Sequence, residues 1–359
     1  MKIGILTHHY VNNYGAFLQA YALREALAKE YPNDTVEIIN YINLRQFVIN
    51  TCGWFRFYRN RENLKCWLQK VQIPITFARA RRAAMHMSPR CFSAAKVNRQ
   101  AYDMIFIGSD EVWNYQDWKS NDPIKFGRGL NCRHIAAYAP SVGNSEGPFP
   151  QYAAEGIRKL ARISARDAKT AELAEHVTGE AVQKVLDPAF LAAFPSAVLP
   201  AAKKPYVLFY YCDHLPAEIR EQIHRQAREL GMAVYGAGEC DKRYDAITAN
   251  LTPFEWVEMI RNAAFVFTGT FHGAVFSILN RKPFKVYLTN KSRIQKVGSL
   301  LQTLQLENRQ MQADFVFDYE GMKDEIDYDR VQQLLKTETS ISMDFLREAV
   351  RAARPETES

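Results

Sequence analysis

A histidine set among small residues is the first place in the chain where proton chemistry is legible. Residues 263–284 read AAFVFTGTFHGAVFSILNRKPF. A β-branched and aromatic run over 264–268 halts at Gly269-Thr270-Phe271-His272-Gly273, and residues 274–279 read as a helix ending before Lys282-Pro283. A strand feeding a helix through small residues gathers backbone N–H groups and a positive dipole end at one point. His272 adds the side chain best able to exchange a proton near neutral pH. The stretch therefore predicts an anion and proton-transfer site; the competing reading is a buried histidine filling a turn. A second cluster follows residues 102–108 (YDMIFIG), where Gly108-Ser109-Asp110-Glu111 stands at the C-terminal end of a strand. Open α/β sheets place their ligands there, although Asp110 can equally cap a helix containing Val112 and Trp113. His8 and His9 follow the first strand, where they could line the cleft, with loop surface the favoured reading. The remaining histidines, His86, His134, His176, His214 and His224, have no metal-ligand spacing, and no metal is expected.

The elements needed to hold these groups alternate between strand and helix. Residues 2–7 form a strand apolar almost throughout, as a strand buried on both faces should be. A helix over 15–30 and a strand over 36–41 complete a βαβ unit without a GxGxxG turn, which counts against a nicotinamide or flavin enzyme. Strands are expected at 134–138 and 183–186, and helices at 153–160 and 168–176. Residues 192–204, with Pro195 and Pro200, read as a linker. The pattern then restarts with strands at 206–211, 233–236, 264–268 and 285–288, a capped helix opening at Thr252-Pro253, and a long final helix over 329–353. The expected architecture is α/β, two doubly wound Rossmann-like domains facing a cleft. Residues 1–195 make the first and 205–320 the second; 321–359 form a helical segment that can pack back on the first.

At 359 residues the chain is long enough for two domains, and 47% hydrophobic with 24% charged residues is the balance of a globular protein. No apolar run approaches the roughly 20 residues of a membrane span. The chain opens directly on a strand, as expected of a protein without a signal peptide. Six scattered cysteines form no CxxC pair, so a disulfide framework is not expected and a cytoplasmic location is. The net charge of +7 is local: Arg45 to Arg90 carries ten Lys or Arg, Arg61 among them, against Glu62 alone. Trp54, Phe55, Phe57, Tyr58 and Trp67 are interleaved with these cations, a composition suited to nucleic acid or to an anionic membrane surface. Nothing else in the chain resembles a nucleic-acid module, so a membrane-surface or polyanion contact is the expected function of the segment, with a solvated helical pair as the competing reading.

Six motifs, in order, resemble the polysaccharide pyruvyl transferase family. They are Asn13-Tyr14-Gly15-Ala16-Phe17-Leu18-Gln19, Ile107-Gly108-Ser109-Asp110-Glu111-Val112-Trp113-Asn114, Ala137-Tyr138-Ala139-Pro140-Ser141-Val142-Gly143, Ile163-Ser164-Ala165-Arg166-Asp167, Val185-Leu186-Asp187-Pro188, and Thr268 to Gly273 with Phe276-Ser277-Ile278-Leu279. The resemblance implies a fold like that of B-type glycosyltransferases. It also implies transfer of the carboxyethylidene group of phosphoenolpyruvate onto two sugar hydroxyls as a cyclic ketal, with release of phosphate. It makes Arg166 and His272 functional, together with a basic residue some twenty positions after the histidine. Lys291, Arg293 and Lys296 fall in that range, and Arg293 is the choice. Thr270 departs from relatives that carry a cation before the histidine.

The donor has a carboxylate and a phosphate, so its site needs a planar bidentate cation, a second cation and a helix N-terminus. Arg166, Arg293, Lys291, Thr270 and the Gly273 backbone are the expected donor groups. His272 is the expected acid or the stabiliser of the departing phosphate, Asp110 the base or hydroxyl ligand, and Asn13, Gly15, Gln19 and Ser109 the acceptor contacts. Arg166-Asp167 read otherwise is a salt-bridged helix start, and Asn13 with Gly15 is turn chemistry. No cofactor beyond the phosphoenolpyruvate substrate is expected. The acceptor is a saccharide, lipid-linked if the basic segment meets a membrane. The rivals are a sugar-nucleotide-dependent glycosyltransferase and a non-catalytic polysaccharide-assembly protein.

Overall fold

Short runs that are apolar on both faces become the inner strands of two parallel sheets. The computed structural model describes residues 1–60, 62–199, 204–212, 214–312 and 314–354. Arg61 of the basic segment, Pro200 of the linker and the last residues of the 321–359 segment lie outside these. The chain divides into two compact units, residues 1–51, 81–193 and from Lys336 on in the first, and 52–80 with 194–335 in the second.

In the first unit, β1 (Lys2–Leu6), β2 (Thr35–Ile38), β3 (Met104–Ile107), β4 (His134–Ala137), β5 (Arg162–Ala165) and β6 (Gln183–Lys184) form one sheet in the order β2-β1-β3-β4-β5-β6. Every pair is parallel, with Leu6 beside Ile107 and Ile107 beside Ala137. The C-terminal ends therefore line up along one edge and deliver Thr7, Gly108, Tyr138 and Arg166 there. Helix α1 (Tyr14–Glu30) joins β1 to β2 and is capped by the Asn13 side chain, which accepts the Ala16 N–H at 3.0 Å. Helices α2 (Leu44–Gly53), α3 (Leu64–Lys70), α4 (Ile73–Ala84) and α5 (Ala94–Asn98) precede β3 in the chain, α3 and most of α4 belonging to the second unit, and α6 (Gln151–Ile157) and α7 (Ala168–Thr178) flank β5.

One sheet face is closed by α1 and the last helix, where Ile3, Ile5, Leu23, Leu27, Phe345 and Leu346 share a core. The other is closed by Trp113, Phe126, Ile157 and Ala174. Fully burying side chains of this size is worth about 1.5–3 kcal/mol each.

The second unit holds β7 (Tyr206–Tyr210), β8 (Ala233–Gly236), β9 (Phe265–Thr268) and β10 (Phe284–Val286), all parallel in the order β10-β9-β7-β8. Its helices are α8 (Ala217–Glu229), α9 (Pro253–Arg261), α10 (Phe271–Leu279), α11 (Lys291–Thr303) and α12 (Tyr319–Met322), followed by α13 (Tyr328–Ala353), whose later residues belong to the first unit. Phe209, Phe265, Phe267 and Phe317 stack at its centre.

Residues 52–80 were expected in the first domain and instead fold with the second unit. Thr76 Oγ1 donates to Asn250 Oδ1 at 2.7 Å, and Cys66 is disulfide-bonded to Cys240 across 174 positions, with Cα atoms 5.6 Å apart. Both contacts join elements far apart in sequence, and the disulfide corrects the expectation that the cysteines stay unpaired. No helix among the described residues is long and apolar enough to cross a membrane.

Candidate active site

At the C-terminal edge of the first sheet the chain makes unusual turns. Gly108 has φ +122°, and a Cβ added there would fall 2.1 Å from the Tyr138 carbonyl oxygen, so only glycine fits. Asp110, two residues on, is held at φ +77°, a conformation that for a non-glycine residue concentrates at functional sites. Residues 111–114 form a turn and not a helix, which removes the helix-cap reading of Asp110. Its backbone carbonyl instead accepts the Ser141 N–H at 2.8 Å, tying the loops after β3 and β4 together.

Arg166 is buried at this edge between two carboxylates. Its Nη1 donates to Asp187 Oδ2 at 2.7 Å, and Nη2 stands 3.5 Å from Asp110 Oδ1. Burial alone pulls the guanidinium down, but Asp187 and then Asp110 outweigh it, and the net direction is upward. Asp167 does not pair with Arg166 as a salt-bridged helix start would require. It caps α7, accepting the Thr170 N–H at 2.9 Å. Ser109 is fully buried, its Oγ donating to the Ala139 carbonyl at 3.1 Å, so it braces the loop and does not face an acceptor. Gln19 is likewise 0% exposed, its amide donating to Thr7 Oγ1 and the Ala16 carbonyl. Thr7 in turn donates to the Ser109 carbonyl at 3.2 Å. Gln19 positions the β1 loop in place of the expected acceptor contact. Asn13 is exposed but spends its oxygen on the α1 cap, and Gly15 lies buried within the first turn of that helix.

Asp187, which shares Arg166 with Asp110, and His8 and Lys125, on which Asp110 acts, were not among the expected site residues. Asp187 was visible only as part of a motif. His8 and His9 are buried and not loop surface, and Lys125, 1% exposed, brings Nζ to 2.6 Å from His8 Nε2. Asp122-Pro123 signals the short 3₁₀ turn that carries Lys125 (Pro123–Phe126), but nothing local signals its partner. His9 bonds Asn40 at 3.2 Å and the Thr7 carbonyl at 3.3 Å, and burial pushes it down to about 4.

A histidine with a folded value below its unfolded 6.5 stabilises the fold fully above pH 6.5 and loses that contribution as pH falls toward 4. Acidification from pH 6.5 to 5 is therefore expected to cost about 2 kcal/mol through His9. Urea unfolding at the two pH values checks this, and His9→Gln should reduce the difference by about that amount, leaving the share of His8, which burial also holds down.

In the second unit the turn after β9 is tighter than expected. Helix α10 begins at Phe271, three residues earlier than the sequence reading, because Thr270 is its N-cap: Thr270 Oγ1 accepts the Gly273 N–H at 3.0 Å. His272 therefore sits in the first helical turn, edge-on to the Phe271 ring, with Nε2 buried. The Gly273 N–H is used by the cap and is not an anion donor, while a Cβ at Gly273 would lie 2.0 Å from Thr268 Oγ1. Thr270 lacks a charge because its hydroxyl builds this cap.

The three downstream cations separate clearly. Arg293, whose N–H is capped by Asn290 at 2.8 Å, brings its guanidinium to 3.5 Å from where a Cβ of Gly269 would lie. Lys291 is exposed and Lys296 half-buried one turn further along α11. The structure thus gathers Asp110 and Arg166 in the first unit, and Thr270, His272, Gly273 and Arg293 in the second. Among the described residues no group of three or more His, Cys, Asp or Glu is placed to hold a metal ion.

The family model for polysaccharide pyruvyl transferase matches residues 13–290, and the chain belongs to that family. No curated protein sequence matches it. Solved structures similar to it include the UDP co-structure of MnaA from S. aureus, at 11% identity over 96% of this chain and 94% of that one, TM-score 0.49. E. coli ADP-heptose LPS heptosyltransferase II is 12% identical over 97% and 99% of the two chains, TM-score 0.41. The Streptomyces sp. SF2575 glycosyltransferase SsfS6, complexed with thymidine diphosphate, is 11% identical over 97% and 99%, TM-score 0.44.

Proposed function

We propose that the chain transfers the carboxyethylidene group of phosphoenolpyruvate to two hydroxyls of a saccharide, forming a ketal and releasing phosphate. The observation that carries this reading is membership of the family over residues 13–290, with Arg166 and His272 falling at the C-terminal ends of β5 and β9. Arg166 in the first unit and Arg293 in the second are each a planar cation of the kind that binds a carboxylate or a phosphate. His272 is assigned as the proton donor to the enol methylene, and Asp110 as a ligand of the acceptor hydroxyls. Phosphate release from phosphoenolpyruvate that requires a saccharide acceptor tests the reaction. Release that ignores the acceptor, or none with any acceptor, contradicts it.

We also infer that the acceptor is presented at an anionic membrane surface. Phe55, Phe57, Tyr58, Leu64 and Leu68 are exposed on residues 52–80, with Arg56, Arg59 and Lys65 exposed among them. Two cations of the segment do not contribute. Lys70 is buried against Glu62 at 2.5 Å, and Arg81 is buried, donating to Asn12 Oδ1 at 3.1 Å. Each exposed cation near such a surface adds about 1 kcal/mol, so replacing Arg56, Arg59 and Lys65 by Gln should weaken binding by about 100-fold. Flotation with phosphatidylserine vesicles measures this, and unchanged binding by the triple variant would sink the idea.

A further inference from the structure

Two basic side chains face each other inside the first unit without a carboxylate between them. His8 follows β1 by two residues and is 5% exposed, and Lys125 comes from the 3₁₀ turn 117 positions later. Lys125 Nζ donates to the Ser120 carbonyl at 2.7 Å and to Gln46 Oε1 at 3.4 Å, and lies 2.6 Å from His8 Nε2. Among the described residues no other hydrogen bond reaches the His8 ring, so Nδ1 is the nitrogen left for chemistry. The pair is built and rigid. The Lys125 carbonyl accepts the Trp113 indole N–H at 2.8 Å, and Asp122, which caps the turn, is held by Tyr41 and Asn43 at 2.7 and 3.0 Å.

A buried lysine paired with a carboxylate is a structural ion pair, whereas one against an imidazole can share a single proton with it. The charged groups acting on the pair are Asp110, Asp117 and Asp122 around Lys125, and Asp110 and His9 around His8. Burial first, opposed by those aspartates, leaves Lys125 at about 7, while burial and then Lys125 hold His8 well below its usual value. The pair therefore exchanges its proton near neutral pH, beside the Asp110 loop.

We propose that His8 and Lys125 form the proton-accepting pair for the acceptor hydroxyls, an inference that rests on the reaction proposed above. With the enol methylene protonated, a first sugar oxygen bonds to the donor's central carbon. The carbon–oxygen bond to phosphate breaks with its electron pair leaving on phosphate, and the second sugar oxygen bonds to the resulting oxocarbenium carbon. Each hydroxyl gives up one proton, one making good the methylene proton and one going to phosphate. The hydroxyl proton passes to His8 Nδ1, the Nε2 proton crosses to neutral Lys125, and the pair returns one proton to phosphate or solvent. His8 is the group that meets the hydroxyl, and Lys125 is a positioning residue acting through it.

The test combines a kinetic and a spectroscopic readout on the full chain. Wild type should show kcat for acceptor-dependent phosphate release rising through about pH 7 to a plateau. Lys125→Met and His8→Gln should each lower kcat about 100-fold and abolish that limb, with KM for phosphoenolpyruvate within about threefold. The double variant should be no slower than either single one. Nitrogen-15 spectra of labelled histidine should show a His8 step near pH 7 in wild type, absent in Lys125→Met. A Lys125→Met enzyme with the wild-type pH profile, or a wild-type His8 spectrum flat through pH 7, overturns the proposal. The spectroscopic arm needs no turnover, so it decides the pair even where no acceptor supports phosphate release and the proposed reaction itself fails.

Discussion

Replacing His272 with alanine is expected to lower acceptor-dependent phosphate release by about 10²–10⁴-fold, the usual contribution of one positioned acid–base group. The fold should survive. The α10 cap is made by Thr270 and the Gly273 N–H, and the close approach beneath it is between Gly273 and Thr268, so the imidazole holds neither together. The unfolding free energy should fall by about 1 kcal/mol, the ordinary cost of a point substitution, which leaves the chain folded. The KM for phosphoenolpyruvate should stay within a few-fold, since the assigned donor cations are untouched. His272→Gln, which can hydrogen-bond but not titrate, should be nearly as slow as the alanine variant. A His272→Ala enzyme retaining half of wild-type turnover would remove the histidine from the mechanism.

Asp187→Ala is expected to have the largest effect on stability, about 3–5 kcal/mol, because it leaves a buried guanidinium without its nearest carboxylate. Asp187 is buried, and its partners include Arg166 at 2.7 Å, the Ala189 N–H at 3.0 Å and the Ser109 hydroxyl at 3.5 Å. Asp110 is a poor substitute at 3.5 Å from Arg166 and a more exposed position. Against a typical total stability of about 5–15 kcal/mol the loss is a large share of the whole. Replacing both partners, Arg166→Met with Asp187→Leu, should recover most of the stability and none of the turnover, since an apolar pair of similar volume removes the uncompensated charge. Urea unfolding of the two single variants and the double variant gives the coupling directly. A double variant as unstable as Asp187→Ala would show that the cost lies in the loop and not in the charge.

The strands were legible because burial on both faces leaves a local mark: Ile3 to Leu6 and Met104 to Ile107 have no polar alternation to mistake. The α10 start was misplaced because a Thr N-cap followed by Phe-His-Gly carries no acidic residue in its first turn and so lacks the commonest start signal. His272, Arg166 and Asp110 were readable as chemistry at strand ends. Which carboxylate Arg166 takes was not, since Asp187 arrives from a different strand. The Lys125–His8 contact and the Cys66–Cys240 bond join residues more than a hundred positions apart, and residue type at one end says nothing of the other. Gln19 and Ser109 looked like ligand contacts because they are polar residues that follow strand ends, yet they satisfy buried backbone groups.

The donor is the central claim, and thermal unfolding with phosphoenolpyruvate tests it without knowledge of the acceptor. A ligand at 100 times its Kd adds about 2.7 kcal/mol to the folded state, several degrees in Tm. Phosphoenolpyruvate should raise Tm saturably in wild type and far less in Arg293→Ala, while UDP-, ADP- and TDP-sugars leave it unchanged. Stabilisation by a nucleotide sugar, with none by phosphoenolpyruvate, would contradict the account.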